Sequence, residues 1–226
     1  QWLIQPLEKI LNEQGVTIDN LVFILDEKLR SLPIAAIRNE REFIIEKYSV
    51  GLMPSMSLTN TRYRNIHNAE VLAMGTSKFP DPDQGDLPTI PVQIEQINSL
   101  WSGKSFLDAD FTVSNLRAQL ERQNFNIIHL ATHAQFNPNP RTNSYIQFWA
   151  ENRLRFDEVR QLGLKDTFAE LLVLGPCQTA LGDKEAELGF AGFAYKSGAK
   201  SVLASLWEVK EVGTLALMIE FYQLLK

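Results

Sequence analysis

Apolar residues in this chain gather in short unbroken runs, and the stretches between them carry hydrophobic positions at helical spacing. The runs Leu21 to Leu25, Val71 to Gly75, Asn126 to Ala131, Glu170 to Leu174 and Lys200 to Trp207 lack the strict in-out alternation of a half-exposed strand. Each therefore predicts a strand covered on both faces, as in a parallel sheet. Gln5 to Gln14 sets Leu7, Ile10 and Leu11 on one helical face and stops at Gly15, and Val92 to Trp101 does the same with Ile94, Ile97 and Leu100. Thr112 to Arg122 predicts a helix N-capped at Thr112 or Ser114, and Thr214 to Leu225 a closing amphipathic helix. Strands alternating with helices predict an α/β fold.

The pattern is less regular elsewhere. Leu32 to Ala36 predicts a short helix begun at a proline, and Phe43 to Glu46 with Tyr48 to Leu52 predicts a small hairpin. Lys78 to Pro91, with Pro80, Pro82, Pro88 and Pro91 among several acids, reads as an exposed loop. So does Asn137 to Asn143. Ser144 to Trp149 predicts a strand, Phe156 to Leu162 a short helix, Gly182 to Leu188 a mobile loop, and Gly189 to Ser197 a helix stopped by Gly198.

Two of the buried runs end in residues that carry chemistry. Gly175-Pro176 terminates the run at Leu174, since proline cannot donate to a ladder, and the only cysteine, Cys177, follows. The run at Ile127 ends in Ala131-Thr132-His133-Ala134. In open α/β sheets the carboxyl ends of strands are where ligands bind. His133 and Cys177 lie 44 positions apart, enough for a crossover that returns to the same side of a sheet. If the strands are neighbours, imidazole and thiol emerge side by side. A free thiol has a pKa of about 8.5, so a nearby imidazole is what would hold thiolate at neutral pH. Acyl transfer from a peptide carbonyl is the reaction class, with backbone amides after the cysteine available to an oxyanion.

Plainer readings stand beside these. A lone cysteine at the end of an apolar strand is commonly a small buried hydrophobe, and a histidine near a core is often just a hydrogen-bonded structural residue. His129 and His133 form H-x-x-x-H, but zinc needs that spacing on a helix, and this segment reads as a strand with no glutamate after His129. No metal is expected, and His129 reads as a core residue or a support for His133. His67 has no motif around it. Gly182, Gly189 and Gly192 match neither a phosphate loop nor a dinucleotide fingerprint, and no cofactor is expected. Glu208 and Glu211 follow the last strand, on the side of the presumed dyad, where they could start a helix or receive a basic side chain.

Composition narrows the classes further. The chain has 226 residues, is 45% hydrophobic and carries a formal charge of −5, so it can bury a large core but offers no basic surface for nucleic acid. A single cysteine excludes an internal disulfide and fits a reducing, cytoplasmic setting. No apolar run approaches the roughly 20 residues that span a bilayer. The opening Gln1-Trp2-Leu3-Ile4 reads as the interior of a longer protein.

Several ordered stretches together carry a family resemblance. "LVFILDEKLRSLPIAAI" from Leu21, "IIHLATHAQF", "LLVLGPCQTALGD", "GFAYKSGAKSVLASLWEVKE" and "MIEFYQLL" resemble a CHAT domain, the caspase-like family often joined to tetratricopeptide repeats. The resemblance implies a caspase-hemoglobinase-like three-layer α/β sandwich with a mostly parallel six-stranded sheet and helices on both faces. It implies one domain over 1–226, with 1–68 as its N-terminal subregion. His133 would be the acid/base, Cys177 the nucleophile, and the amides of Ala134 and Cys177 the oxyanion hole. Related separases bind an arginine side chain through an acid after the L-W-x-V motif, which matches Glu211, or else Glu208. The expected function is a cysteine endopeptidase acting on protein substrates and regulated by an N-terminal region, a partner protein or a repeat region. A catalytically silent scaffold that binds partner proteins is the alternative, motivated by Ala134 in place of the family's usual glycine and Gly175-Pro176 in place of Ser-Ala.

Overall fold

Four of the five apolar runs lie side by side in one all-parallel sheet. Its order is β11 (Ser201–Leu203), β9 (Leu171–Leu174), β5 (Ile127–Ala131), β3 (Val71–Gly75) and β4 (Gly103–Leu107). The computed structural model describes residues 4–25, 29, 32–53, 55–56, 64–81, 84–136, 144–150, 152–155, 157–159, 169–175, 177–179, 198–205 and 209–226, with backbone alone at 136 and 177–179. The expected loop at 137–143, most of the expected helix at 156–162, and the expected loop and helix at 182–197 fall outside these residues, as does Glu208. Two compact units divide the chain, Gln1–Thr59 and Asn60–Lys226.

In the larger unit the sheet's two faces carry separate cores, as successive residues of a strand point to opposite sides. Leu72 and Met74 of β3 pack with Leu116 and Leu120 of α4 (Val113–Arg122), while Val71 and Ala73 pack with Ile90, Ile94 and Ile97 of α3 (Ile90–Leu100) and Tyr222 of α5 (Glu211–Leu225). Helices therefore cover both faces. Each fully buried Leu or Ile contributes about 1.5–3 kcal/mol. Thr112 caps α4, its side chain accepting from the Asn115 N–H at 3.1 Å. The described sheet has five strands where six were expected. One of the five, β4, escapes the hydrophobic pattern: it is an edge strand, half-exposed, and its Lys104 and Ser105 break the apolar run.

A second, four-stranded sheet is attached beyond the carboxyl ends of β5 and β9. It is ordered β10 (Cys177–Thr179), β6 (Ala134–Phe136), β7 (Tyr145–Gln147), β8 (Arg153–Arg155), parallel between β10 and β6 and antiparallel elsewhere.

In the smaller unit β1 (Asn20–Phe23) pairs in parallel with β2 (Ser49–Leu52); α1 (Gln5–Glu13) precedes β1 and α2 (Ile44–Lys47) lies between the two strands in sequence. The expected hairpin is not formed: Ile44–Lys47 is a helical turn, closed by the Phe43 N–H donating to Glu46 Oε2 at 2.5 Å. Lys47 alone separates the two halves of that supposed hairpin, whereas tight hairpins need a two-residue turn, commonly with Asn or Gly. Ile44 is free to turn inward with Leu21, Tyr48 and Ile4.

Candidate active site

Strands β5 and β9 run in register, with Ile127, Ile128, His129 and Leu130 opposite Leu171, Leu172, Val173 and Leu174, so their carboxyl ends finish together. Beyond them the chains stay in contact: the Gly175 N–H donates to Leu130 O at 2.8 Å. A Cβ at 175 would be tightly placed, 3.0 Å from Thr132 N and 3.1 Å from Ala131 Cα, so a side chain there would require the neighbouring backbone to give by a few tenths of an ångström. The Thr132 hydroxyl donates to Gln147 O at 2.6 Å, and the Gln147 N–H donates to His133 O at 2.9 Å. Gln147 is itself buried, its amide donating to the carbonyls of Phe148, Ala150 and Asn152. The backbone of His133 is thus braced from β7.

The next residues pair directly. Cys177 is the Cα partner of Ala134, the residue after His133, and neighbouring strands stand about 4.8 Å apart. Ala134 lies in an extended strand, so alanine there meets none of the left-handed strain a glycine would relieve. The bond from Gln147 N–H to His133 O, with Ala134 opposite Ile146, makes Ala134 a non-hydrogen-bonded residue toward β7. Its N–H consequently points to β10, and that of Cys177 points away from β6.

His133 is partly exposed and held by one loop at two points. Its Nε2 lies 3.0 Å from Gly85 O, and its ring packs on Phe79 at 4.4 Å between centroids. A carbonyl oxygen only accepts, so Nε2 carries the proton and Nδ1 of the neutral ring keeps the lone pair. Gly85 has φ 67, in the left-handed region that glycine enters without cost. Neither Phe79 nor Gly85 announces itself in the sequence beyond lying in a proline-rich loop; the fold alone brings them to His133.

A family profile for the CHAT domain matches residues 1–226, the whole sequence. The chain belongs to the CHAT domain family. That family is part of the caspase-like protease clan. No curated protein matches the sequence.

In this CHAT domain Glu211 begins α5, and its Oε1 accepts from the Thr89 N–H at 2.5 Å. Thr89 lies just ahead of α3, four positions beyond Gly85, so a single loop reaches both His133 and Glu211. Glu208 lies outside the described residues. His129 is fully buried in the core: the Gln93 amide donates to its Nε2 at 3.3 Å, leaving Nδ1–H to donate to the Tyr222 hydroxyl at 3.0 Å. Burial pushes the His129 pKa down to about 3 and that of Tyr222 well above its usual value. His67 is exposed, with Nδ1 3.0 Å from Lys226 O. Among the described residues no group of three or more His, Cys, Asp or Glu side chains could hold a metal, and no helix is long and apolar enough to cross a membrane.

Proposed function

We propose that this CHAT domain is a cysteine endopeptidase with Cys177 as nucleophile and His133 as acid/base. The observation that carries the reading is the β6–β10 register, which sets Cys177 across from the residue next to His133. With Nε2–H bound to Gly85 O, Nδ1 is the atom that takes the thiol proton. The thiolate attacks the scissile carbonyl carbon, forming the C–S bond. The C–N bond then breaks as Nδ1 returns the proton to the leaving amine. Water, deprotonated by Nδ1, attacks the thioester, and the C–S bond breaks to restore the thiolate.

The Cys177 amide, which points away from β6, is the oxyanion donor, while the expected second donor, the Ala134 amide, is directed into the β6–β10 pairing. Glu211, or else Glu208, receives a basic side chain of the substrate. A carboxylate has about four acceptor sites, so the Thr89 amide leaves room for a guanidinium or ammonium group.

Alkylation of Cys177 against pH, with a peptide-library cleavage assay, tests the reading. The thiol should react with a midpoint below about 8.5, His133→Ala should raise that midpoint, and Cys177→Ala should abolish cleavage. A Cys177→Ala protein that still cleaves refutes the nucleophile. The second reading, a silent scaffold, draws on Val212, Leu217 and Leu224, which α5 leaves exposed. A thiol that resists alkylation until unfolding favours it.

A further inference from the structure

His133 is held by a loop, and the root of that loop is held by Asp108. Asp108 directly follows β4 and has φ 47, a left-handed conformation that aspartate and asparagine tolerate better than other non-glycine residues. Its Oδ1 accepts from the Ser77 N–H at 2.8 Å and the Ser77 hydroxyl at 3.1 Å, and lies 3.2 Å from the Thr76 hydroxyl, whose one proton also has Lys78 O within reach at 3.0 Å. Thr76 and Ser77 are both buried, immediately after β3. Ser77 O in turn accepts from the Leu87 N–H at 3.0 Å, which closes the loop at its base. Across the loop Asp86 accepts from the Phe79 N–H at 3.2 Å and from Lys78 Nζ at 2.8 Å. The closed loop contributes the Phe79 ring and the Gly85 carbonyl to His133. Two Ser77 donors converging on one oxygen, with a backbone turned left-handed to present it, is the kind of strained arrangement that collects at functional sites.

We propose that Asp108 is a positioning residue for His133, its carboxylate clamping the Thr76–Ser77 turn so that the closed loop presents the Gly85 carbonyl to Nε2. The expected effect on turnover rests on the peptidase reading; the effect on the imidazole does not.

Two substitutions compatible with positive φ test this in the full chain. Asp108→Gly removes the carboxylate while relaxing the backbone, and Asp108→Asn keeps an acceptor oxygen in place. Nitrogen chemical shifts of the labelled His133 ring report which nitrogen carries the proton, and peptide cleavage reports kcat and KM. Asp108→Gly should lose the Nε2–H form and lower kcat about tenfold or more with KM within about twofold, since small misplacements of a reacting group are costly to the chemical step. Asp108→Asn should restore both. Wild-type kcat in a folded Asp108→Gly protein overturns the proposal, as does an Nε2–H signal that survives the substitution, whether or not the wild-type protein cleaves peptides. If Asp108→Gly does not fold, Ser77→Ala removes the hydroxyl that donates to the Asp108 carboxylate and should shift both readouts the same way. Wild-type behaviour in that variant also overturns the clamp.

Discussion

Gly85 and His133 are joined by a 3.0 Å contact between a backbone carbonyl and Nε2, so the tautomer of the imidazole is set by a residue 48 positions earlier in the chain. That carbonyl can be aimed only because Gly85 takes φ 67.

Gly85→Ala should therefore cost about 1–2 kcal/mol through backbone strain alone. Nothing lies within 4 Å of a Cβ at this position, so steric collision adds little. Thermal unfolding should show a modest fall in Tm, while Cys177 alkylation at neutral pH slows by a larger factor. An unchanged alkylation rate would show that the carbonyl is not needed.

Glu211→Gln should lower kcat/KM for substrates with Arg or Lys before the cut by about tenfold or more, the scale of a lost charge-assisted hydrogen bond. Substrates with a neutral residue there should be affected far less, because the glutamine oxygen can still accept from Thr89 N–H. A peptide library run on both proteins checks the ratio, and equal losses on basic and neutral substrates would assign Glu211 to holding the loop alone.

Burial lowers the pKa of His129 in the folded protein to about 3, while the unfolded chain titrates near the ordinary value of 6.5. Between these values the unfolded state binds the extra proton. The stability owed to neutral His129 is fully present above about 6.5 and is lost as pH falls toward 3, with a slope of up to about 1.4 kcal/mol per pH unit. Urea unfolding from neutral pH downward should show this slope in the wild-type protein and lose it in His129→Gln.

A smaller pH effect belongs to the unit Gln1–Thr59. The bond donated by Lys47 at 2.6 Å holds Glu8 below its ordinary pKa, with the Tyr48 hydroxyl adding a second donor at 2.9 Å, and the same bond to Glu8 holds Lys47 above its own. The contribution from Glu8 is present above the ordinary glutamate value and lost as pH falls through the depressed one. That from Lys47 is present below the ordinary lysine value and lost as pH rises through the raised one. The groups are reached by solvent, so each effect should stay under about 1 kcal/mol. Hydrogen exchange in Leu21 and Tyr48 at acid pH, compared between wild type and Glu8→Gln, measures it.

Strand positions in the larger unit were legible because a buried parallel strand needs an unbroken apolar run, and Val71–Gly75, Ile127–Ala131 and Leu171–Leu174 satisfy that need locally. β4 was not, since an edge strand is covered less and can keep Lys104 and Ser105. The segment Phe43 to Leu52 misled because apolar residues in a short run serve a helical turn as well as a strand, and the missing turn residues decide between them. At the site, the sequence marked His133 and Cys177 as residues that end buried strands. It could not mark Phe79, Gly85, Gln147 or Asp108, whose parts depend on backbone groups and on contacts made across the fold.

The order of apolar runs and helical stretches, then, determined by itself that the chain builds a parallel α/β sheet with an imidazole and a thiol just beyond two of its strands. Only the tertiary structure decided that β5 and β9 are neighbours, that Ala134 and Cys177 fall opposite one another, and that Gly85 faces Nε2. The reason is physical. Hydrophobic spacing is a local property that each segment carries in its own residues. Strand order, register and the aim of a carbonyl arise from segments far apart in the chain closing around a shared core.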